Sequence, residues 1–233
     1  MIPKIIHQVF HNIQKKELNE ISLFVNSQKT LQEVNDDFEY KLWTEKDCIE
    51  LITNYYPSYL EFYLSMEYQI QRIDYIRMFI LHRYGGFYID LDMIAIKPLR
   101  SLINEKLILN NINHIVPKHN EYVINDFMAC EKNDSFFKLL MDAVPINYKQ
   151  KLKIDVYKIW KGRFVIQTTG PKFISRMVKK YLPNYKPYNV VWTKWRNDNW
   201  KEIPRNKYYV ECFRAGSWLN ETNSNLKNHK TFK

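Results

Sequence analysis

Arg72-Ile-Asp-Tyr-Ile-Arg-Met-Phe-Ile-Leu-His-Arg-Tyr-Gly-Gly-Phe-Tyr-Ile-Asp-Leu-Asp92 is the stretch on which the reading of this chain turns. Ile70, Ile73 and Ile76, with Phe79 and Ile80, recur at helical spacing. They predict a helix from about Glu67 to Arg83 with one apolar face. Tyr84-Gly-Gly86 stops it, with glycine expected to supply a left-handed C-cap. Phe87-Tyr-Ile-Asp90 then reads as a strand.

The same stretch carries the polar groups. Asp74 and Arg77 stand at i and i+3 and share one helix face. Arg72 lies roughly opposite, where it is structural or paired with another acid. Asp90 and Asp92 stand at i and i+2, so at a strand end both carboxylates are expected to point the same way. Two hard oxygen ligands suit Mn²⁺ or Mg²⁺, with water and a substrate phosphate filling the remaining positions. A lone Asp-x-Asp says little, since about one arises by chance in a chain of this length. A solvated turn and a surface ion pair account for the pieces separately. The full run, from an Asp/Arg helix face through Gly-Gly and an apolar strand to Asp-x-Asp, is far more specific.

Outward from this stretch, strands and helices alternate. Pro3 to Phe10 reads as a buried strand, about Glu17 to Glu33 as a polar helix, and Phe38 to Trp43 as a second strand. Thr44-Glu-Lys-Asp47 resembles a capping box, opening a helix to about Thr53. Pro57 can open a short helix. Leu107 to Asn110 and Asp126 to Cys130 are candidate strands, with a helix between Ser135 and Ala143. Gly170-Pro171 opens another helix to about Tyr181, and Tyr208 to Phe213 is a last strand. Asn147 to Arg163 is the least readable segment, and Asn220 to Lys233 reads as a polar tail. The pattern predicts an α/β fold in a single domain over 1–233, without repeat or linker.

Composition sets bounds. The 233 residues are 45% hydrophobic and 26% charged, as in ordinary globular proteins. The net charge of +10 attracts anions, although scarce alanine and abundant Lys, Asn, Ile and Tyr point equally to an AT-rich genome. Cys48, Cys130 and Cys212 are far apart and form no CxxC, which argues for reduced thiols. Met1 to Phe10 lacks a signal-peptide core, and no apolar run reaches membrane-spanning length. The expectation is a cytoplasmic protein without a transmembrane span, with peripheral membrane contact through a basic face as an option.

With these residues in view, the chain resembles glycosyltransferase family 32. That family includes initiating α-1,6-mannosyltransferases, sphingolipid mannosyltransferases and capsular sugar transferases. The Asp-x-Asp region is also similar to that of clostridial glucosylating toxins. The resemblance rests on Ile2 to Phe10, Tyr40-Lys-Leu-Trp43, Arg72 to Asp92, Asn125-Asp-Phe-Met128, Thr169-Gly-Pro171 and Ala215-Gly-Ser-Trp218. It implies a GT-A fold, with a Rossmann-like mixed sheet flanked by helices. It also implies a nucleotide-sugar donor (a UDP-sugar or GDP-mannose), Mn²⁺ or Mg²⁺, and retention of anomeric configuration. By the same analogy Val9 and Phe10 meet the nucleotide base. Asp74, Arg77, Asp90, Asn125, Ser217 and Trp218, with Gly85 and Gly86, belong to the donor site. Asp92 is the main metal ligand, with Asp90 beside it, and Asp92, Asp90 and Arg77 carry the catalysis. The family usually places histidine a few residues before Ala-Gly-Ser-Trp; here Cys212 and Phe213 stand there, and a thiol is a soft ligand for such a metal. Glu211, water or the tail's His229 are the alternatives. Trp192, Trp195 and Trp200 form an acceptor platform or part of the core. The acceptor is left open between glycan, lipid and protein.

Three rivals remain at this level. A nucleic-acid-binding module suits the charge and the aromatics, but no zinc-finger spacing or RNA-recognition signature supports it. A degenerate transferase would bind a donor without turnover. A metal-dependent nuclease or phosphatase would want more clustered acids.

Overall fold

The computed structural model describes residues 1–12, 16–111, 123–154, 161–192 and 205–213. Its centre is a mixed five-stranded sheet in the order β2-β1-β3-β6-β5. β1 is Ile5–Val9, β2 Glu39–Trp43, β3 Gly86–Ile89, β5 Leu107–Asn111 and β6 Val123–Cys130. β1 runs parallel to both β2 and β3, while β6 is antiparallel to β3 and β5. A second sheet of three short strands has the order β4-β8-β7, with β4 Met93–Ala95, β7 Val191–Trp192 and β8 Val210–Cys212.

Seven α-helices lie within the described residues: α1 Ser22–Val34, α2 Glu45–Tyr55, α3 Leu60–Ser65, α4 Gln69–Tyr84, α5 Ser135–Leu152, α6 Lys161–Thr168 and α7 Pro171–Tyr181. Residue alternation splits the core in two. Tyr88 of β3, with Met128 and Cys130 of β6, points into a cluster with α4, α5, α6 and α7. Phe87 and Ile89, with Phe127 and Ala129, point the other way, toward Leu31 of α1 and the small sheet. The central strands are therefore buried on both faces and read as continuous apolar runs.

Three expectations are corrected. The helix α4 was expected to bury one face, but Ile73 through Leu81 are all buried, Asp74 and Arg77 included. α4 lies between the sheet and α5, with α2 and α3 alongside, so water reaches little of it. Gly85 caps α4 with positive φ but with ψ −156°, an extended conformation reserved for glycine rather than the left-handed helical one. Gly86 also has positive φ (90°), and a Cβ there would stand 2.5 Å from the Ile5 carbonyl oxygen. Finally, α5 does not stop before Pro145 but runs to Leu152. Its second half is held by Tyr148 packed on Phe164 and by Asn147 Nδ2 donating to the Gln167 and Thr168 carbonyls. α6, β4 and β7 had no counterpart in the sequence reading.

The capping box is present: the Thr44 hydroxyl accepts from the Asp47 N–H at 3.3 Å, and the Asp47 carboxylate accepts from the Thr44 N–H at 2.8 Å. The polar helix begins later than expected: a 3₁₀ turn at Leu18–Glu20 precedes α1. Among the described residues no helix is long and apolar enough to cross a membrane.

Candidate active site

β1 and β3 are parallel neighbours, so their carboxyl ends lie side by side, the usual location of ligand sites in such sheets. Val9 ends β1, and Phe10 and His11 follow it. Asp90 follows β3 at once. Gln8 links the two ends: its Nε2 donates to the Asp90 carbonyl at 3.2 Å and to Ser27 Oγ at 3.0 Å, while Tyr40 donates its hydroxyl to Gln8 Oε1 at 2.7 Å.

Arg77 is the centre of the polar cluster and is 3% exposed. Its Nε donates to the Ile73 carbonyl at 3.2 Å, and its Nη1 donates to the carbonyl of Asn125. Nη2 lies 3.3 Å from Asp74 Oδ1 and 3.4 Å from Asp90 Oδ1, so one guanidinium bridges two carboxylates. The Tyr88 ring stacks on it at 4.5 Å, and the Tyr88 hydroxyl donates to Asp90 Oδ1 at 2.7 Å. Burial works against the charge of Arg77, but Asp90, Tyr88, Asp74 and Asp126 outweigh it and raise its pKa above the ordinary value.

Asp74 is fully enclosed. Asn125 Nδ2 donates to its Oδ1 at 2.8 Å and Thr169 Oγ1 to its Oδ2 at 3.0 Å. Burial pushes its pKa up to about 6, with Arg77 and Thr169 opposing. Asp90 is also raised by burial, against the pull of Arg77 and of the Tyr88 hydroxyl. The buried Arg77 cation is thus paired with an enclosed carboxylate, Asp74, and with one that is 31% exposed, Asp90.

The expected strand geometry of Asp90 and Asp92 does not hold. β3 ends at Ile89, and Asp90 to Met93 form a turn closed by the Met93 N–H donating to the Asp90 carbonyl at 3.2 Å. The Asp92 carbonyl accepts from the Phe213 N–H at 2.9 Å, which ties this turn to the end of β8. Met93 pairs with Cys212 across the small sheet. Cys212 is buried in the second apolar cluster. Among the described residues no group of three or more His, Cys, Asp or Glu side chains is gathered as a metal site. Asp90 and Asp92 are nonetheless hard oxygen donors on one turn, a pair that suits Mn²⁺ or Mg²⁺ when water and a diphosphate complete the shell.

The structure thus brings Val9, Phe10, Asp74, Arg77, Asp90, Asp92 and Asn125 to one end of the sheet. Gly85 and Gly86 lie at the opposite end of β3, against Pro3, Ile5, Cys130 and Lys132, where a Cβ has no room. Arg72 pairs with Glu45 at 3.3 Å, as a residue outside the Asp74 face should. Trp192 is buried in β7, a core position. Ser217, Trp218, Trp195, Trp200 and His229 lie outside the described residues. Sequence reasoning missed Gln8, Tyr88, Thr169 and His11 as parts of this end of the sheet. Tyr88 and Thr169 fell inside quoted motifs, but nothing local marks their partners. His11 is 6% exposed, and neither ring nitrogen has a hydrogen-bond partner. Burial lowers its pKa to about 4, with Glu45 opposing and Arg72 adding.

A family described as "Glycosyltransferase sugar-binding region containing DXD motif" matches residues 22–114. Inositol phosphoceramide mannosyltransferase 3 of Schizosaccharomyces pombe is 30% identical over 82% of this chain and 49% of its own length. Mannosyl phosphorylinositol ceramide synthase CSH1 of Saccharomyces cerevisiae is 32% identical over 78% of this chain and 43% of its own. The chain spans about half the length of the curated relatives it matches. Among solved structures, PaToxG Glycosyltransferase aligns with a TM-score of 0.56 at 16% identity, covering 78% of this chain and 70% of that one. Mouse xyloside xylosyltransferase 1 in its apo form aligns with a TM-score of 0.51 at 8% identity, covering 93% and 99%. At such identities the likeness speaks for the fold alone, which is the GT-A type.

Proposed function

The chain belongs to the glycosyltransferases whose sugar-binding region contains a DXD motif, and from that premise we propose a retaining hexosyltransferase using a nucleotide-diphosphate sugar. The observation that carries this reading is the buried Asp74–Arg77–Asp90 bridge, locked by Asn125 and Thr169 beside the carboxyl ends of β1 and β3. Such a bridge carries a net charge of −1 on fixed groups, so it presents preorganised acceptor oxygens to donor hydroxyls and to a divalent cation, and the cation in turn meets the diphosphate.

In this reading the base lies at Val9 and Phe10, where the unspent ring nitrogens of His11 support a polar ligand edge. Asp90, with its side chain 31% exposed, accepts from ribose or sugar hydroxyls, while Arg77, itself held by the enclosed Asp74, fixes its carboxylate. A divalent ion held by Asp92 and Asp90 would neutralise charge growing on the diphosphate. The bond from the anomeric carbon to the diphosphate oxygen breaks, and the acceptor oxygen bonds to that carbon on the same face. The acceptor proton passes to the released phosphate oxygen. The chain contributes positioning and electrostatics rather than a nucleophile of its own. The acceptor class follows by analogy with the relatives named for ceramide-based substrates: a hydroxyl-bearing lipid or glycan.

The test is a thermal-shift and hydrolysis panel with UDP-glucose, UDP-galactose, UDP-N-acetylglucosamine and GDP-mannose, each with Mn²⁺, Mg²⁺ or chelator. One donor should raise the melting temperature in a metal-dependent way and release its nucleotide. Asp92→Ala should lower turnover by about 100-fold or more while keeping its fold. Full turnover in Asp92→Ala would sink the proposal.

A further inference from the structure

The positive charge of this chain is concentrated. Residues 145–181 contain ten Lys and Arg against one acid, Asp155, so this stretch holds +9 of the chain's net +10. Residues 182–233 add ten Lys and Arg against four acids, and residues 1–144 carry fifteen against twenty, so the basic excess lies wholly in the later part of the chain, where a uniform lysine bias would not confine it. The charge also has company. Ile146, Leu152, Ile154 and Tyr181, in the same stretch, are 62%, 47%, 40% and 44% exposed.

The described residues of this stretch lie on three helices, of which α6 packs against both α5 and α7. Ile146 and Lys149 lie on the exposed side of α5, and Lys153 is the exposed residue that caps its C-terminus. Lys172, Arg176 and Lys180 share a face of α7, opposite the buried Phe173, Ile174 and Val178. Arg176 links the helices: its Nη2 donates to Asn147 Oδ1 of α5 at 3.2 Å, and its guanidinium also bonds Gln167 of α6. These helices also reach the site, since the buried Thr169, the residue after α6, donates to Asp74.

We infer that the α5–α6–α7 face is a docking surface for an anionic lipid bilayer, set beside the donor site. Lysines near such a surface each contribute about fivefold in partitioning, and exposed aliphatic side chains enter the acyl boundary. The aliphatic character of Ile146, Leu152 and Ile154 favours a membrane over nucleic acid, since binding to unpaired bases relies on aromatic faces for stacking. Docking would hold the Asp74 end of the sheet against the leaflet, where a lipid acceptor offers its headgroup hydroxyls. That consequence rests on the glycosyl-transfer reading; the docking does not.

The test is sedimentation of the full chain with phosphatidylcholine vesicles, with and without about 30% phosphatidylserine, alongside anisotropy with a fluorescent single-stranded oligonucleotide. Binding should require phosphatidylserine and weaken with salt. The variant K149Q/K153Q/K172Q/K180Q should lose at least about 100-fold in vesicle affinity, and I146S/L152S/I154S at least about 10-fold. Both should keep the wild-type melting temperature and donor-induced shift, since none of these side chains is buried. Failure of the wild type to bind anionic vesicles would overturn the docking, as would binding untouched by both variants. Oligonucleotide binding tighter than vesicle binding and insensitive to the Ile/Leu changes would also overturn it. A donor shift without vesicle binding refutes docking alone, whereas vesicle binding without any donor shift refutes the transferase reading alone.

Discussion

At the residue scale, two buried groups show how neighbours fix a protonation state. His7 is fully buried, its Nδ1 accepting from the Trp43 indole N–H at 3.2 Å and its Nε2 3.0 Å from the Gly85 carbonyl. With Nδ1 as acceptor, the proton sits on Nε2 and is donated to Gly85. Burial lowers the pKa to about 4, opposed by the Gly85 bond and helped by Lys41. The folded chain therefore takes up this proton less readily than the unfolded chain. The contribution of His7 is intact above about pH 6.5 and is lost as pH falls toward 4, by about 3 kcal/mol in all. Denaturant unfolding of wild type and His7→Gln between pH 7 and 4 should show the gap between them shrinking by that amount; a constant gap would mean that the fold leaves the pKa of His7 unchanged, and a widening gap that it holds His7 charged. Asp74 has the opposite sign: its raised pKa costs stability at pH 7 and is relieved as pH falls through about 6. At Arg77, lysine would keep the charge but lose the fork that joins Asp74, Asp90 and Asn125, so Arg77→Lys should lower donor turnover by about 100-fold or more. Asp74, Arg77 and Asp90 were legible in sequence because helix and strand spacing placed them. His11 and Thr169 were not, because a histidine after a strand and a threonine before Gly-Pro look alike whether buried or solvated.

At the element scale, local chemistry and tertiary contact compete. The Thr44–Asp47 box was readable because both partners lie within four residues. Thr44→Ala should cost about 1 kcal/mol by urea unfolding, and Thr44→Ser far less. Gly86 opens a strand, but its φ of 90° and the approach of the Ile5 carbonyl each exclude a side chain there. Gly86→Ala should destabilise the fold by about 2 kcal/mol or more, seen as a falling melting temperature; Lys46→Ala, at a side chain 84% exposed, should barely move it. Pro145 misled the reading of α5 because proline normally breaks a helix. Here the turns beyond it are kept by the Tyr148–Phe164 contact and by Asn147, groups met only after the chain folds back through α6.

At the scale of the molecule, the site exists only where β1, α4, β3, β6 and the start of α7 meet. Asp74, Asn125 and Thr169 are far apart in sequence yet hydrogen-bonded. A donor that binds this junction holds several elements together and should stabilise the whole fold by about 2.7 kcal/mol at one hundred times its Kd. Asp74→Asn should abolish most of that stabilisation in a thermal-shift titration while the unliganded protein stays folded. The charge distribution belongs to this scale too: a net charge says little until the helices collect it on one side.

The sequence alone determined the alternating α/β pattern, the apolar run of β3 and the Asp/Arg helix face. Each is set by side-chain periodicity or by partners within a few residues. Only the tertiary structure decided that α4 is buried all round, that Asp90 and Asp92 share a turn rather than a strand, and that Gly85 and Gly86 lie far from the site. It also decided that Arg77 bridges two carboxylates. The physical reason is common to all four: burial, pairing and available space depend on atoms from distant parts of the chain, and spacing along the sequence does not encode them.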